Sequence, residues 1–273
     1  MRALGPGARL AEGIEVIAHL ARSNVLDVYD AWCARRGCRV AVKALRPDRL
    51  RDAGARRALL REGRLLRRLA HPHLVRAYEL RDDERPVVVL ETLRGATLGA
   101  MLAQSRLSPA ETAQLGLQLG SALRYLHGER LVHLDVKPSN VIAHAGVAKL
   151  IDLSIAHRPG PVKPGLGTWC YLAPEQARGE HSGAAADVWG LGATLHEALT
   201  GHPAFDEDDD AEFPCLERRA EPIRRHRPRA PRALAEALDA ALAPAPGDQP
   251  TLDALLDALD ACAGHPAGRG RWT

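Results

Sequence analysis

The sequence predicts an α+β protein, with a small sheet-plus-helix part followed by a larger, mainly helical part. Short apolar runs typical of strands are concentrated in the first part, and capped helical patterns fill most of the second. The chain has 273 residues and 46% hydrophobic content, which is enough for one enzyme domain with a sizeable core. We expect the first part to span 14–93 and the second 94–264, between an N-terminal extension (1–13) and a C-terminal tail (265–273).

The first part combines apolar runs with one strongly helical pattern. The runs are short and rich in β-branched residues, as strands are, and the helical pattern is rich in arginine. The predicted elements are strands Ile14–Leu20, Val25–Trp32 and Val40–Leu45, helix 55–69 and strand Val87–Leu90. These elements predict a small sheet accompanied by one helix.

Lys43 lies inside the third predicted strand and is unusual for this chain. Only four of the 37 basic residues are lysines, so surface charge here defaults to arginine. A lysine is a compact point charge on a flexible stem, which suits reaching a phosphate from a strand. The alternative is a surface lysine that merely keeps its charge in water.

Glu62 is the only acidic residue between Asp52 and Glu79, and it lies in the Arg-rich helix. Its neighbours three and four positions away along the helix are leucines and an alanine, so it has no partner on its own face. An unpaired carboxylate on an apolar face would cost several kcal/mol. We therefore expect Glu62 to pair with Lys43, the alternative being a partly exposed glutamate at the helix edge.

The second part begins with a helix whose start is well marked. Ser108 and Glu111 form a capping box with Pro109 at the first helical position, and the helix is expected to end near His127. Two short apolar runs around Gly146 predict a hairpin. The remaining predicted elements are a buried helix from Asp187 to Gly201 and helices Pro231–Ala243 and Thr251–Ala263.

The most informative residues are those that flank this hairpin on both sides. His133 to Asn140 has the sequence HLDVKPSN, and Asp152 comes twelve residues after Asn140. Because Asn140 leads into the hairpin and Asp152 leaves it, both are expected at the same open end. There a carboxamide and a carboxylate can share metal ions while Asp135 meets a hydroxyl group, a combination that suits phosphoryl transfer.

These motifs resemble the catalytic domain of the eukaryotic-type protein kinase family, in its bacterial serine/threonine branch. Gly167–Glu175 resembles the family's substrate-binding loop, and Asp187–Gly192 resembles the start of its buried central helix. The resemblance covers roughly Ile14 to Gly264. It implies a two-lobed protein-kinase-like fold, ATP and Mg²⁺ as cofactors, and unidentified proteins as substrates.

The resemblance also implies a role for each matching residue. Asp135 would accept or orient the proton of the substrate hydroxyl, and Lys137 would stabilise the migrating phosphoryl group. Asn140 and Asp152 would hold magnesium. Lys43, oriented by Glu62, would meet the phosphates of ATP, and the adenine surroundings would come from Leu20, Val28, Ala41, Glu91, Leu93 and Ile142.

Several residues depart from the family pattern near the nucleotide. Ala21, Ser23 and Leu26 stand where three glycines are expected in the phosphate-covering loop. Glycine lets a backbone turn tightly and come close to phosphates. Leu26 is expected at the hairpin tip, where it points to solvent or occludes the γ-phosphate. Ser154 replaces the glycine after the metal ligand, which stiffens the hinge there.

Further departures lie in the second part. Leu134 replaces the arginine that usually receives a phosphorylated residue, and 155–167 contain no Ser, Thr or Tyr. We expect that phosphorylation of this segment does not switch the protein. Thr168 resembles the threonine that braces the catalytic Asp and Lys, the alternative being a simple turn residue. Gln249 stands in place of an arginine partner for Glu175, so that ion pair is expected to become a neutral contact or to be lost.

Three hypotheses follow: an active serine/threonine protein kinase, a pseudokinase that binds nucleotide or acts as a scaffold, and a kinase-fold enzyme for a small molecule. The net charge of +3 is too small to indicate nucleic acid, and neither a membrane span nor a signal peptide is predicted. We expect a cytoplasmic protein with reduced cysteines. The acidic run 206–210 is expected to be a solvated loop. Oligomeric state cannot be predicted.

Overall fold

The computed structural model describes residues 2–205 and 211–263. The acidic run 206–210 and the tail 265–273 lie outside the described residues. The described chain forms two compact units. One contains the residues up to Arg94 together with Asp152–Ser154, and the other contains Gly95–Ile151 and the residues from Ile155 onward.

The first unit is a six-stranded antiparallel sheet with one long helix. In chain order its elements are β1 Arg9–Ala11, β2 Ile14–Arg22, β3 Leu26–Cys33, β4 Cys38–Leu45, α1 Ala53–Arg68, β5 Ala77–Arg81 and β6 Val87–Leu90. The strand order across the sheet is β1-β2-β3-β4-β6-β5. β1 and β5 were not predicted from the sequence. They are the two edge strands, and short, largely half-buried edges show little apolar periodicity.

The two faces of this sheet are occupied differently. Val42 and its same-face neighbours on adjacent strands are buried with Tyr29 in an apolar cluster, against which Leu4 and Ala8 of the N-terminal segment pack. The other face contacts α1, where a side chain added at Gly63 would lie 2.7 Å from Leu80. Alternation along β4 places Lys43 on this second face.

The second unit is mainly helical. Its helices are α2 Leu98–Leu102, α3 Pro109–Gly128, α4 Pro174–Arg178, α5 Ala184–Thr200, α6 Pro214–Glu217, α7 Ile223–His226, α8 Arg232–Ala241 and α9 Leu252–Ala263. Its strands are β7 Ala96–Thr97, β8 Val141–His144, β9 Val147–Leu150, β10 Gly160–Pro161 and β11 His181–Ser182. The predicted capping box is confirmed, with Ser108 and Glu111 bonded reciprocally at 2.8 and 3.3 Å.

Helix α5 forms the core of this unit, as the sequence predicted. Trp189 is fully buried and stacks on Phe205 with ring centroids 5.7 Å apart. The helix ends at Gly201, whose φ of +83° closes it with a left-handed turn. The described residues contain no helix with the length and apolarity that crossing a bilayer would require. The predicted α+β class is confirmed.

Candidate active site

Lys43 and Glu62 form the ion pair that the sequence predicted. The Lys43 ammonium lies 2.6 Å from Glu62 Oε1, and the two side chains are 8% and 1% exposed. The pair forms because β4 presents Lys43 to the face that α1 covers, while the apolar face of α1 directs Glu62 toward the sheet. A carboxylate buried among leucines thus finds its counter-charge on the neighbouring strand.

Asp152 also binds Lys43. Its Oδ2 lies 3.0 Å from the Lys43 ammonium, and its Oδ1 accepts a 2.8 Å hydrogen bond from the backbone N–H of Ser154. Burial opposes the charge on Lys43, but the carboxylates of Glu62 and Asp152 outweigh it and raise the pKa of Lys43 above its ordinary value. Burial likewise opposes ionisation of Asp152, but Lys43 and Ser154 lower its pKa to about 2. Both groups are therefore charged at neutral pH.

The residues after Asp152 are tied directly to α1. The Leu153 N–H donates to Glu62 Oε1 at 3.3 Å, and the Arg61 guanidinium donates to the Ser154 carbonyl. Two consecutive residues of α1 therefore hold two consecutive residues of this segment. Ser154, which replaces an expected glycine, is accommodated without losing the contact between Asp152 and Lys43.

In the second unit, three side chains converge on the Asp135 carboxylate. Thr168 Oγ1 donates to Asp135 Oδ1 at 2.6 Å, and Asn140 Nδ2 donates to Asp135 Oδ2 at 2.8 Å. The Lys137 ammonium lies 2.8 Å from the same Oδ2 and also donates to Thr168 Oγ1 at 2.5 Å. The predicted bracing role of Thr168 thus has its two contacts in place.

The loop that presents Asp135 is anchored from α5. Asp187 is fully buried, and its carboxylate accepts the backbone N–H groups of His133 and Leu134 at 2.9 and 2.7 Å. His127 Nε2 lies 2.8 Å from the same carboxylate. Leu134 has a φ of +65°, which is uncommon for a leucine. The sequence indicated Asp187 only as the start of a helix, and its role as the anchor of this loop became visible through long-range contacts.

Leu134 lies in an apolar cluster. It is 4% exposed and shares the cluster with Leu172 and Trp189, against which Ile155, Val162 and Leu166 pack. These last three residues belong to the segment that lacks Ser, Thr and Tyr. Where the family pattern expects an arginine for a phosphate, this chain therefore has a leucine in the apolar cluster against which the same segment packs.

A family model for the protein kinase domain matches residues 15–257. The chain belongs to the protein kinase family. A probable serine/threonine-protein kinase of Streptomyces coelicolor is 34% identical over 228 residues, covering 78% of this chain and 34% of the relative. PrkC of Bacillus subtilis, a serine/threonine-protein kinase, is 33% identical over 208 residues, covering 73% of this chain and 32% of PrkC. The chain thus spans about a third of the length of these curated relatives.

Solved structures confirm the predicted kinase fold. The kinase domain of Mycobacterium tuberculosis PknI superposes with a TM-score of 0.74 at 26% identity, covering 96% of this chain and all of that domain. The first unit corresponds to the sheet-plus-helix lobe of a protein kinase, and the second corresponds to the helical lobe.

The residues that the resemblance assigns to adenine are distributed over the two units. In the first unit, Val28 pairs with Lys43 across β3 and β4, and Ala41 pairs with Leu90 across β4 and β6. Leu20 is 58% exposed. Val28, Ala41, Glu91 and Leu93 are each half-buried, and Ile142 is half-buried in β8 of the second unit.

The hairpin between β2 and β3, which the resemblance assigns to the phosphates, differs from expectation at one position. Leu26 does not lie at the tip, because it already belongs to β3 and pairs with Leu45. The tip consists of Ser23, Asn24 and Val25, and Leu26 is half-buried. The prediction that Leu26 occupies the tip was wrong because the turn is shorter than the family's glycine spacing suggested.

The expected partner of Glu175 is lost. Gln249 Nε2 donates to the Ala243 carbonyl at 3.0 Å, away from Glu175. Glu175 is 3% exposed, and among the described residues neither of its carboxylate oxygens accepts a hydrogen bond. Burial raises the pKa of Glu175 above its ordinary value. This member of the protein kinase family thus has a buried carboxyl group with no hydrogen-bond partner among the described residues, where the family pattern has an arginine.

Proposed function

We propose that this chain is the catalytic domain of a serine/threonine protein kinase that transfers the γ-phosphoryl group of ATP to protein hydroxyls. The observation that supports this proposal most directly is the convergence of Lys137, Asn140 and Thr168 on Asp135. A carboxylate held by three side chains has a fixed direction, and fixed direction is what a group that orients a substrate hydroxyl needs.

Asp135 and Lys137 would act at the acceptor. The substrate hydroxyl oxygen forms a bond to the γ-phosphorus while the bond from that phosphorus to the β–γ bridging oxygen breaks, and Asp135 takes the hydroxyl proton. Lys137 would stabilise the charge on the migrating group. Its contact with Asp135 at 2.8 Å keeps the ammonium beside the reacting oxygen.

Lys43 and the oxygen ligands would act at the nucleotide. Lys43, held by Glu62, would bind the α- and β-phosphates. The carboxylate of Asp152 and the side-chain oxygen of Asn140 are the hard ligands that Mg²⁺ prefers, so the residues present fit this ion. When bound, Mg²⁺ neutralises charge on the phosphates. The adenine ring would be held by Leu20, Val28, Ala41, Glu91, Leu93 and Ile142.

We also infer that phosphorylation of the activation segment, residues 155–167, does not control this kinase. Residues 155–167 offer no hydroxyl, and Leu134 lies in an apolar cluster where the family pattern has a phosphate-binding arginine. Apolar packing is always present, so the segment does not depend on a modification for its order.

A pseudokinase is the second candidate, and the glycine-free hairpin favours it. Side chains at Ala21 and Ser23 reduce the backbone freedom with which a covering loop approaches phosphates. This candidate predicts nucleotide binding, or scaffolding alone, without phosphoryl transfer.

The experiment that tests the proposal measures Mg²⁺-dependent transfer of labelled phosphate from ATP to a generic basic protein. Wild type is compared with Asp135→Asn and with Asp253→Asn, a control whose side chain is 74% exposed. We expect Asp135→Asn to lower the rate by about a hundredfold or more, and Asp253→Asn to match wild type. Phosphoserine and phosphothreonine are the expected products.

Two other outcomes would reject the proposal. ATP binding by calorimetry without transfer in wild type would identify a pseudokinase. Transfer to small hydroxyl compounds, with no transfer to any protein, would identify a small-molecule phosphotransferase.

A further inference from the structure

Asp27 is a completely buried carboxylate at the start of β3, outside the site described above. Its Oδ1 accepts from Arg22 Nε at 2.7 Å and from His19 Nε2 at 2.9 Å. Its Oδ2 accepts from Arg22 Nη2 at 3.0 Å and from the Tyr29 hydroxyl at 3.2 Å. Four hydrogen bonds match the four acceptor sites of a carboxylate, so the group is fully satisfied.

A bulge in β2 makes this arrangement possible. The register pairs His19 with Tyr29 and Arg22 with Asp27, and it shifts by one residue between His19 and Ala21. Without the shift, His19 and Arg22 would point to opposite faces of the sheet, because side chains alternate along a strand. The extra residue is Leu20, and it places both His19 and Arg22 on the same face as Asp27.

The Asp27 network lies on the face of the sheet opposite Lys43. β3 and β4 pair Val28 with Lys43 and Asp27 with Ala44, so Asp27 and Lys43 face opposite directions. On the face that carries Asp27, the Tyr29 hydroxyl also accepts a hydrogen bond from the backbone N–H of Leu4 at 3.2 Å. The Asp27 network therefore lies on one face of the hairpin, and Lys43 lies on the opposite face of the sheet.

The tip of the same hairpin is fixed by a second set of bonds. Ser23 Oγ accepts the backbone N–H of Leu26 at 3.0 Å, and the Ser23 N–H donates to the Leu26 carbonyl at 2.8 Å. The Arg46 guanidinium donates to the carbonyls of Ser23 and Asn24 at 3.3 and 3.2 Å. The tip of the hairpin and the strand residues next to the tip are thus both held by side chains.

Burial would normally disfavour the Asp27 charge. The hydrogen bonds from its three partners outweigh that effect and lower the pKa of Asp27, so the carboxylate is ionised at neutral pH. Bonds between a buried charge and well-placed partners are stronger and more directional than exposed ones. Breaking the network would leave a buried charge short of partners, so the hairpin has a strong preference for this one conformation.

We propose that Asp27 is a positioning residue which, with His19 and Arg22, locks the glycine-free hairpin in one conformation and so pre-organises it for ATP. The inference rests on the proposed function, because it assigns the hairpin to the nucleotide. A flexible glycine loop loses backbone entropy when it closes over a ligand, whereas a hairpin that is already ordered loses little. Asp27 acts through the backbone of the hairpin and does not touch the nucleotide.

The test compares Arg22→Gln with Arg39→Gln. The two arginines are matched, since each binds a buried aspartate of β3, Arg22 binding Asp27 and Arg39 binding Asp30. Both arginine side chains are partly exposed, so both variants are expected to fold. Asp27→Asn is a stronger second variant, and Arg22→Lys tests whether charge alone is sufficient.

Two readouts are used with each full-length variant. Hydrogen exchange of the peptide that spans the hairpin reports its order without any need for activity. ATP titrations then give the dissociation constant and, with a protein substrate, separate KM from kcat. We expect Arg22→Gln to speed hairpin exchange by about tenfold and raise the KM for ATP by about five- to tenfold, with kcat within about twofold of wild type. Arg39→Gln should change neither quantity, and Arg22→Lys should recover part of the loss.

The proposal is overturned if hairpin exchange in Arg22→Gln equals that in Arg39→Gln. It is also overturned if exchange accelerates while ATP affinity stays constant or improves, since the lock would then do nothing for the nucleotide or would oppose it. Failure of the proposed function gives a different result, in which wild type transfers no phosphate to protein although the exchange comparison still shows a locked hairpin and Arg22→Gln still weakens ATP binding.

Discussion

The Thr168 hydroxyl links the two charged groups of the catalytic loop, donating to Asp135 at 2.6 Å and accepting from Lys137 through the same oxygen. The hydroxyl proton is donated to the Asp135 carboxylate, and one lone pair of the same oxygen accepts from the Lys137 ammonium. The hydroxyl therefore adds a second link between an ammonium and a carboxylate that also contact each other directly.

Replacing Thr168 with alanine is expected to lower kcat by about ten- to a hundredfold, because a small displacement of an orienting group is costly to the rate. The ATP dissociation constant should remain close to that of wild type, since Thr168 contacts only the acceptor side. Steady-state kinetics and calorimetry check the two expectations. Thr168→Ser keeps the hydroxyl and should retain most activity; a serine variant as slow as the alanine variant would contradict the role of the hydroxyl.

Substitution of Glu62 by glutamine tests the Lys43 pair. We expect the free energy of unfolding to fall by about 1–3 kcal/mol, less than for a buried pair broken completely, because Lys43 keeps Asp152 as a partner. ATP affinity should fall as well, since the ammonium would turn toward Asp152. Urea denaturation and ATP titration measure the two effects.

The control for this pair is a double-mutant cycle with Lys43→Met. The double variant Lys43→Met/Glu62→Gln should be more stable than the sum of the single losses predicts, because neither charge of the pair is left buried alone. Additive losses would show that the 2.6 Å contact contributes no coupling.

Restoring an arginine at position 249 should stabilise the protein. Within the described part of the chain the Glu175 carboxylate is buried without a hydrogen-bond partner, and Gln249→Arg would supply a cation. We expect the melting temperature to rise by about 2–6 °C at pH 8, where the unpaired carboxyl group is least favourable. Differential scanning calorimetry of Gln249→Arg, with Glu175→Gln as a second variant that removes the charge, checks the expectation.

The raised pKa of Glu175 decides whether the stability gain of Gln249→Arg grows or shrinks with pH. The folded pKa of Glu175 is raised above its unfolded value, so its contribution to stability is present at low pH and is lost as the pH rises through the folded value. Gln249→Arg should therefore gain more at pH 8 than at pH 5. An equal gain at both values, or none, would mean that the new guanidinium does not reach Glu175.

The stability that Asp152 contributes is expected to depend on pH in the opposite direction to that of Glu175. Its folded pKa of about 2 lies below the ordinary value of 3.8, so the stability it contributes is present above about pH 4 and is lost as the pH falls toward 2. The contribution is about 2 kcal/mol from the size of the shift. Asp152→Asn should be less stable than wild type by that order at pH 6, and the two denaturation curves should approach each other at pH 3. A constant difference across this range would exclude the linkage.

The pair between Lys43 and Glu62 could be predicted from the sequence because each residue was exceptional in its own segment. One was a rare lysine within an apolar strand, and the other was an acid with only apolar helical neighbours. Local pattern was also sufficient for β6, the capping box of α3 and the end of α5 at Gly201, since strand periodicity and helix caps depend on neighbouring residues.

The edge strands and the bulge at Leu20 were decided by the tertiary structure. β1 and β5 exist because neighbouring strands offer them hydrogen-bonding edges, and the register shift depends on how β2 meets β3. Neither the available pairing edges nor the register shift produces a periodic pattern of apolar residues in β1, β2 or β5. The Asp27 network was hidden for the same reason, because normal alternation would have placed His19 and Arg22 on opposite faces.

The sequence by itself determined which charged groups this kinase has and which segments present them, because residue type and local periodicity specify chemistry and secondary structure. Only the tertiary structure decided which of those groups meet. Asp187 anchors the loop of Asp135, Gln249 turns away from Glu175, and Leu134 packs where an arginine was expected, and each of these outcomes depends on residues more than forty positions apart or on a burial that no local pattern records.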